Sequence, residues 1–271
     1  MRILGITVVR NEADIIGEML RSAMQWADRV FVLDNGSTDG TWEIVNELAG
    51  EQVVPWKQDF RPFRNTMRAE VFQAFRHEAK PGDWWCHRLD ADEFYVDDPR
   101  SFLGAVPAGH HVVYKRSIEY TITAEDVEEY EFTGRFAEDR DKIRYFAPKA
   151  HVERRFFRYR TRFSWPTHVE TPRYMGVAHP EPITVRHYPR RSPQQIQERL
   201  EARRAVPKDK RGKPFRHVTE KHWTETLAPR SALRCDDGTV DLHLVPLKRD
   251  FLPPRHVRAW RKLLYGLRIL P

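Results

Sequence analysis

The first hundred residues alternate between a strand period and a helix period, and no other feature restricts the possible folds as much. The run Ile3-Leu4-Gly5-Ile6-Thr7-Val8-Val9 suits a strand covered on both faces. Ile16, Met19, Leu20, Ala23 and Met24 then recur at helical spacing. A second strand, residues 29–33, ends at Asp34. The turn Asn35-Gly36-Ser37-Thr38-Asp39-Gly40 follows, with left-handed positions and N-cap candidates for a helix through Trp42, Ile44, Val45 and Leu48. Residues 52–56 predict a third strand, and Met67, Val71, Phe75 and Ala79 a helix stopped by Pro81-Gly82. Residues 84–89 predict a fourth strand running into Asp90-Ala91-Asp92-Glu93. Such repeats stack into an α/β fold, a mainly parallel Rossmann-type sheet flanked by helices.

Beyond residue 100 the pattern blurs. Residues 111–122 and 153–163 read as strands, separated by an acidic stretch, 125–141, expected to be a loop or lid. Ser192 opens a helix through Ile196 and Leu200, and Pro253-Pro254 precedes a last basic helix. With no repeat or low-complexity linker, the expected organisation is one domain over 1–190, in two halves, 1–100 and 101–190, and a basic, mainly helical extension over 191–271.

The net charge of +7 first suggests a polyanion binder, but its distribution argues otherwise. Residues 186–216 carry 11 basic and 3 acidic side chains, residues 217–247 carry 3 and 5, and residues 248–271 carry 7 and 1, which leaves residues 1–185 at −5. The basicity belongs to the last third. Two cysteines, Cys86 and Cys235, make no disulfide framework or metal-thiolate spacing, so a reducing cytoplasm is expected. Met1 leads directly into the first strand, and no run approaches the roughly 18 apolar residues of a membrane span.

Three predicted strands end in polar clusters: Arg10-Asn11-Glu12, Asp34-Asn35-Gly36-Ser37 and Asp90-Ala91-Asp92. In an open parallel sheet all three line the edge where ligands bind. Two carboxylates at i and i+2 beyond a strand end can converge on one hard cation, which suits Mg²⁺ or Mn²⁺ bridging a diphosphate. An acidic surface turn would carry the same residues, and it is the shared placement of the clusters that favours a nucleotide crevice.

Thr7-Val8-Val9-Arg10-Asn11-Glu12, then Val32-Leu33-Asp34-Asn35-Gly36-Ser37-Thr38-Asp39-Gly40-Thr41, then Arg64-Asn65, then Leu89-Asp90-Ala91-Asp92-Glu93-Phe94 resemble the ordered motifs of family 2 glycosyltransferases with the GT-A fold. The resemblance implies an inverting transferase that moves a sugar from a nucleotide-sugar donor to a glycan, glycolipid or small acceptor, with a divalent metal, and makes residues 1–190 the catalytic domain, 1–100 its nucleotide-sugar half and 101–190 its acceptor half. It implies that Thr7, Val9 and Asn11, with Glu12 beside them, border the nucleoside, that Asp34 bonds the base and that Arg64 lies near base or phosphates. Asp90 would face the ribose or sugar, and Asp92 would hold the metal. Glu93 stands where many relatives have a third Asp, a variant found in one branch.

The resemblance also requires a general base. Ser164-Trp165-Pro166-Thr167-His168-Val169-Glu170 looks like a family element in which an acidic residue follows a Trp and a His, which makes Glu170 the candidate, with pairing to Arg173 as the alternative. His187, in a region where relatives place a ligating His, is the candidate third metal ligand beside Asp90 and Asp92, and His168 is its competitor. Arg190, Arg191, Arg199, Arg203 and Arg204 either close over the donor diphosphate or form a solvated helix face. The last helix, with Arg255, Arg258, Arg261, Lys262 and Arg268 beside Trp260, Leu263, Leu264 and Tyr265, fits an interfacial helix on anionic lipid, or packing against the domain or a second subunit.

A sugar nucleotidyltransferase is the first alternative, but Arg10-Asn11-Glu12-Ala13-Asp14 offers no glycine-rich basic phosphate loop. A nucleic-acid module is the second, and no recognised motif or strand-borne stacking platform supports it, so nucleic acid is not an expected partner.

Overall fold

The computed structural model describes residues 1–206, 218–267 and 269. In chain order the strands are β1 (Ile3–Val9), β2 (Arg29–Asp34), β3 (Val53–Gln58), β4 (Trp84–Cys86), β5 (Glu93–Tyr95), β6 (Val112–Thr121), β7 (Tyr145–Phe146), β8 (His151–Arg158), β9 (Ile183–Arg190) and β10 (Arg234–Cys235). The helices are α1 (Ile16–Ala23), α2 (Thr41–Glu47), α3 (Met67–Phe75), α4 (Pro99–Ala105), α5 (Ala124–Glu129), α6 (Phe136–Asp139), α7 (Pro193–Ala205) and α8 (Arg255–Gly266).

The strands form one sheet. Its parallel part runs β3-β2-β1-β4, the order that strand-helix-strand units produce. Beyond β4 the pairing turns antiparallel through β8, β6 and β7 to β10, while β9 runs parallel to β6 and antiparallel to β5. The fold is mixed α/β with flanking helices, as the periodicity implies. Its parallel character is confined to β1–β4 and the β6–β9 pair.

Side-chain alternation explains the unbroken apolar run in β1. Ile3 and Val9 join Val30, Val32 and Trp84 in one core beneath α1, α2 and α4. Leu4 and Ile6 join Phe31, Leu33 and Trp85 in a second core under α3. Each large apolar side chain so buried contributes about 1.5–3 kcal/mol. Both faces are therefore committed, and only the strand ends are free for chemistry.

The acidic stretch expected as a loop holds α5 and α6 instead. Thr123 caps α5 in a reciprocal box with Asp126, whose N–H donates to Thr123 Oγ1 at 3.0 Å, and Phe136 buries into the core. The fourth strand ends at Cys86 rather than Leu89: the chain bends at His87, and the Arg88 carbonyl accepts from the Arg155 side chain instead of a neighbouring strand. From Arg191 onward the chain is threaded into the main core by Ile196, Leu200, Leu242 and Val245, and β10 joins the sheet edge. Ser192 caps α7 by accepting from the Gln195 N–H at 3.2 Å. Of the basic residues expected in α8, Arg268 lies outside the described residues, as does much of the basic run beyond Val206.

Candidate active site

The carboxyl ends of β1, β2 and β4 open into a cleft of about 760 Å³ whose walls include Val9, Asn11, Glu12, Asp90, Asp92 and His187. Register places Val9 beside Asp34, so the turn after β2 sits against the end of β1. Asn11, left-handed at φ 50°, ties the two together: its N–H donates to Ser37 Oγ and its Oδ1 accepts from the Thr38 N–H, both at 2.9 Å. Gly36, at φ 72°, is also needed for space, because an added Cβ would meet Phe60 at 3.0 Å.

Asp34 is fully buried, with Oδ1 accepting from the Ser37 N–H at 2.8 Å. Asp34 Oδ2, Asn35 Oδ1 and Thr7 Oγ1 are buried without a hydrogen-bond partner among the described residues. Leaving such groups unmade costs about 1–3 kcal/mol each. The resemblance assigns Thr7 and Asp34 to the nucleoside, and Asn35 lines the cleft. Thr7 and Asp34 lie just behind its lining, which Val9, Asn11, Glu12 and Asn35 complete. Arg64 is exposed, and its neighbours Phe63 and Asn65 line the wall instead.

The two aspartates after β4 face different partners. Asp90 is bonded by Arg68 Nη2 at 3.1 Å, with Arg155 Nη1 at 3.6 Å. Burial opposes its charge, but Arg88, Arg155 and Arg68 outweigh that and hold the carboxyl well below the usual carboxylate range. Asp92 is 4% exposed, and three cationic or ionisable groups converge on its Oδ2: Arg199 Nη1 at 3.0 Å, His187 Nε2 at 3.4 Å and Arg191 Nη1 at 4.0 Å. Burial again opposes the charge and these groups reverse the balance.

Glu12 behaves in the opposite way. Its Oε2 meets Arg191 Nη2 at 2.5 Å, yet burial dominates over Arg191 and Arg199, and its carboxyl is raised above the ordinary value. Arg191 also grips Asp14 at 2.6 and 2.8 Å, so one guanidinium closes the end of β1 from 177 residues away. Glu93 accepts from Lys115 and Arg155.

Of the basic run, Arg191, Arg199 and Arg203 thus turn inward, and α7 forms a wall of the cleft rather than a solvated face. The structure does not bring Glu170 to this site. Trp165 is wholly buried beside Phe72, its indole N–H donating to the Val169 carbonyl at 2.7 Å. The segment is pinned to the core, and Glu170 is exposed outside the cleft lining. His168 borders a separate small hollow, which leaves His187 as the imidazole at Asp92.

Sequence reasoning missed the opposite wall, formed by Lys115, Ser117 and Glu119 of β6 with His151 and Glu153 of β8. The spacing of two that Lys115, Ser117 and Glu119 keep in β6, and His151 and Glu153 in β8, was the available signal, masked by the intervening Arg116 and the adjoining Arg154 and Arg155. Glu119 accepts from Arg190 Nη1 at 3.0 Å, with His151 Nε2 at 3.6 Å from its other oxygen. Glu153 lies within 3.7 Å of Arg88, Lys115 and Arg155, which overcome burial and bring it down to about 2.

Residues 6–163 match the family model Glycosyl transferase family 2, more than half the chain. The chain belongs to glycosyl transferase family 2. No curated protein matches it. Among solved structures, Staphylococcus aureus TarS 1-349 in complex with UDP aligns at 18% identity and TM-score 0.34 over 46% of this chain, which spans 37% of that one. A Pyrobaculum calidifontis mannosyltransferase in complex with GDP-Man and Mn²⁺ aligns at 17% identity and TM-score 0.42, over 80% of this chain and 68% of that one. Mannosyl-3-phosphoglycerate synthase from Rubrobacter xylanophilus aligns at 15% identity and TM-score 0.28, over 45% and 41%. The family membership rests on the sequence match.

Proposed function

We propose that this family 2 member is an inverting glycosyltransferase that uses a nucleotide-sugar donor and a divalent cation, Mg²⁺ or Mn²⁺, to glycosylate a glycan, glycolipid or small acceptor. The observation that carries the reading is a buried, ionised Asp92 facing His187 in a cleft, with unpartnered buried oxygens on Thr7, Asp34 and Asn35 at the ends of β1 and β2. Among the described residues no three His, Cys, Asp or Glu side chains cluster as a complete cage. The donor set nevertheless fits a hard cation, because Mg²⁺ and its like are commonly held by one or two protein ligands with phosphates and water completing the shell. Asp92 and His187 would hold it, with Asp90 adjacent. When bound, it would neutralise charge developing on the departing diphosphate.

The chain's own residues would do the rest. Asp34, Asn35 and Thr7 orient the nucleoside, and Asn11 fixes the turn that carries them. Asp90, kept ionised by its arginines, accepts hydrogen bonds from ribose or sugar hydroxyls. Removal of the acceptor proton falls to a cleft carboxylate, and Glu119 fits better than Glu170. Its neighbour in β9 is His187, which contacts Asp92. Glu153 is ringed by three cations, and His151 Nε2 is engaged by Lys248 Nζ at 2.5 Å.

Donor hydrolysis and binding across a panel of nucleotide sugars with Mn²⁺ test the reading. Turnover with one donor is expected, falling about 10²- to 10³-fold in Asp92→Asn. A panel without binding, or an Asp92→Asn protein equal to wild type, would sink it.

No helix among the described residues is long and apolar enough to cross a membrane. Peripheral contact through α8 is part of the proposal, since that helix buries no residue and presents Trp260 and Leu263 among Arg255, Arg258, Arg261 and Lys262. Cosedimentation with phosphatidylserine vesicles but not phosphatidylcholine vesicles is expected. Equal recovery with both would remove this part.

A further inference from the structure

Asp92 is already neutralised, by a side chain that a divalent cation would have to displace. Arg199 Nη1 sits 3.0 Å from Asp92 Oδ2, the same oxygen that faces His187 Nε2 at 3.4 Å. A buried carboxylate needs a cation, and a second cation approaching the same oxygen is repelled by the first. Arg199 and a metal ion therefore compete for Asp92.

The two arginines at Asp92 are not equivalent. Arg191 is 2% exposed and locked by Glu12, Asp14 and the Tyr188 carbonyl. Arg199 is 24% exposed, and both of its hydrogen bonds, to Asp92 and to the Pro189 carbonyl at 3.0 Å, use Nη1. Its Nε and Nη2 face no partner among the described residues, and its side chain lines the cleft with Arg203, one helical turn on. A guanidinium fork of this kind suits a phosphate better than a single carboxylate oxygen.

We propose that Arg199 is an exchangeable counter-ion, holding Asp92 Oδ2 while the site is empty and passing to the donor diphosphate when a divalent cation takes that oxygen. The proposal rests on the metal and donor assignment above. Its consequence is linkage: the cation binds weakly alone, and cation and diphosphate each strengthen the other, because the diphosphate gives Arg199 somewhere to go.

Mn²⁺ binding followed by electron paramagnetic resonance separates the possibilities. It would be run on the full chain with Mn²⁺ alone and then with UDP, GDP, ADP, CDP or dTDP. Arg199→Gln is expected to bind Mn²⁺ alone about fivefold more tightly than wild type and to lose about tenfold in the nucleotide-dependent strengthening. Arg199→Lys should fall between. In EDTA the Arg199→Gln protein should melt below wild type and gain more from added Mn²⁺, because Asp92 has then lost its mobile partner. Unchanged or weaker Mn²⁺ binding by both Arg199 variants, with Asp92→Asn still abolishing it, would overturn the counter-ion role and leave the metal assignment standing. Mn²⁺ binding that survives Asp92→Asn would overturn both.

Discussion

The two walls of the cleft are built on different principles. On the β1–β4 side the polar residues sit at strand ends in short turns, held within one turn, as with Asp34 and Ser37, or by the turn of the next strand, as with Asn11 and Ser37. On the β6, β8, β9 and α7 side they sit in mid-strand or on a helix face, and their partners lie far off in sequence, as with Arg199 and Asp92. A parallel sheet buried on both faces has no other place for chemistry than its ends. A strand at the margin of the core keeps one face for water or ligand, and its function is written in alternation.

The contrast can be broken by mutation. Arg191→Ala should be the costliest change, since Glu12 and Asp14 would be left in a desolvated corner. A loss of about 3–5 kcal/mol in urea unfolding is expected, against less than about 0.5 kcal/mol for Arg64→Ala, whose side chain is exposed. If the two variants unfold alike, the long-range wall is not what ties the halves together. Next comes the base: Glu119→Gln should lower turnover about 10²-fold with donor binding retained, while Glu170→Gln stays within about twofold. The reverse order would return the base to the Trp165 segment.

The smallest effect concerns acid. Glu153 falls from 4.5 to about 2 on folding, so the stability it contributes is complete above pH 4.5 and is lost as pH drops towards 2. Its side chain is 45% exposed, and solvent screening limits the size of that contribution. Glu153→Gln should therefore flatten the acid side of the stability curve. Glu12 runs the other way: its raised carboxyl favours the fold at low pH, and that contribution is lost as pH rises through its folded value. An unchanged acid limb in Glu153→Gln would show that the cations around it are not coupled to folding.

Charge connects the two walls. The last third carries the excess basicity and the first two thirds are acidic, which reads as a catalytic domain with a separate basic extension. In the fold Arg191 and Arg199 from the basic part meet Glu12, Asp14 and Asp92 from the acidic part. Part of the basic excess thus belongs to the same ionic network as the acidic residues at the site.

The sequence by itself determined the strand and helix order through Phe75, the polar clusters at the ends of β1 and β2, the Asp90-Ala91-Asp92 segment and the Ser192 cap, because each depends on residues close together in the chain. Only the tertiary structure decided that Trp165 belongs to the core, that Glu170 faces away, that Glu119 and Glu153 line the cleft and that Arg199 reaches Asp92. These depend on which strands become neighbours, and burial and charge pairing across more than a hundred residues leave little trace in local pattern.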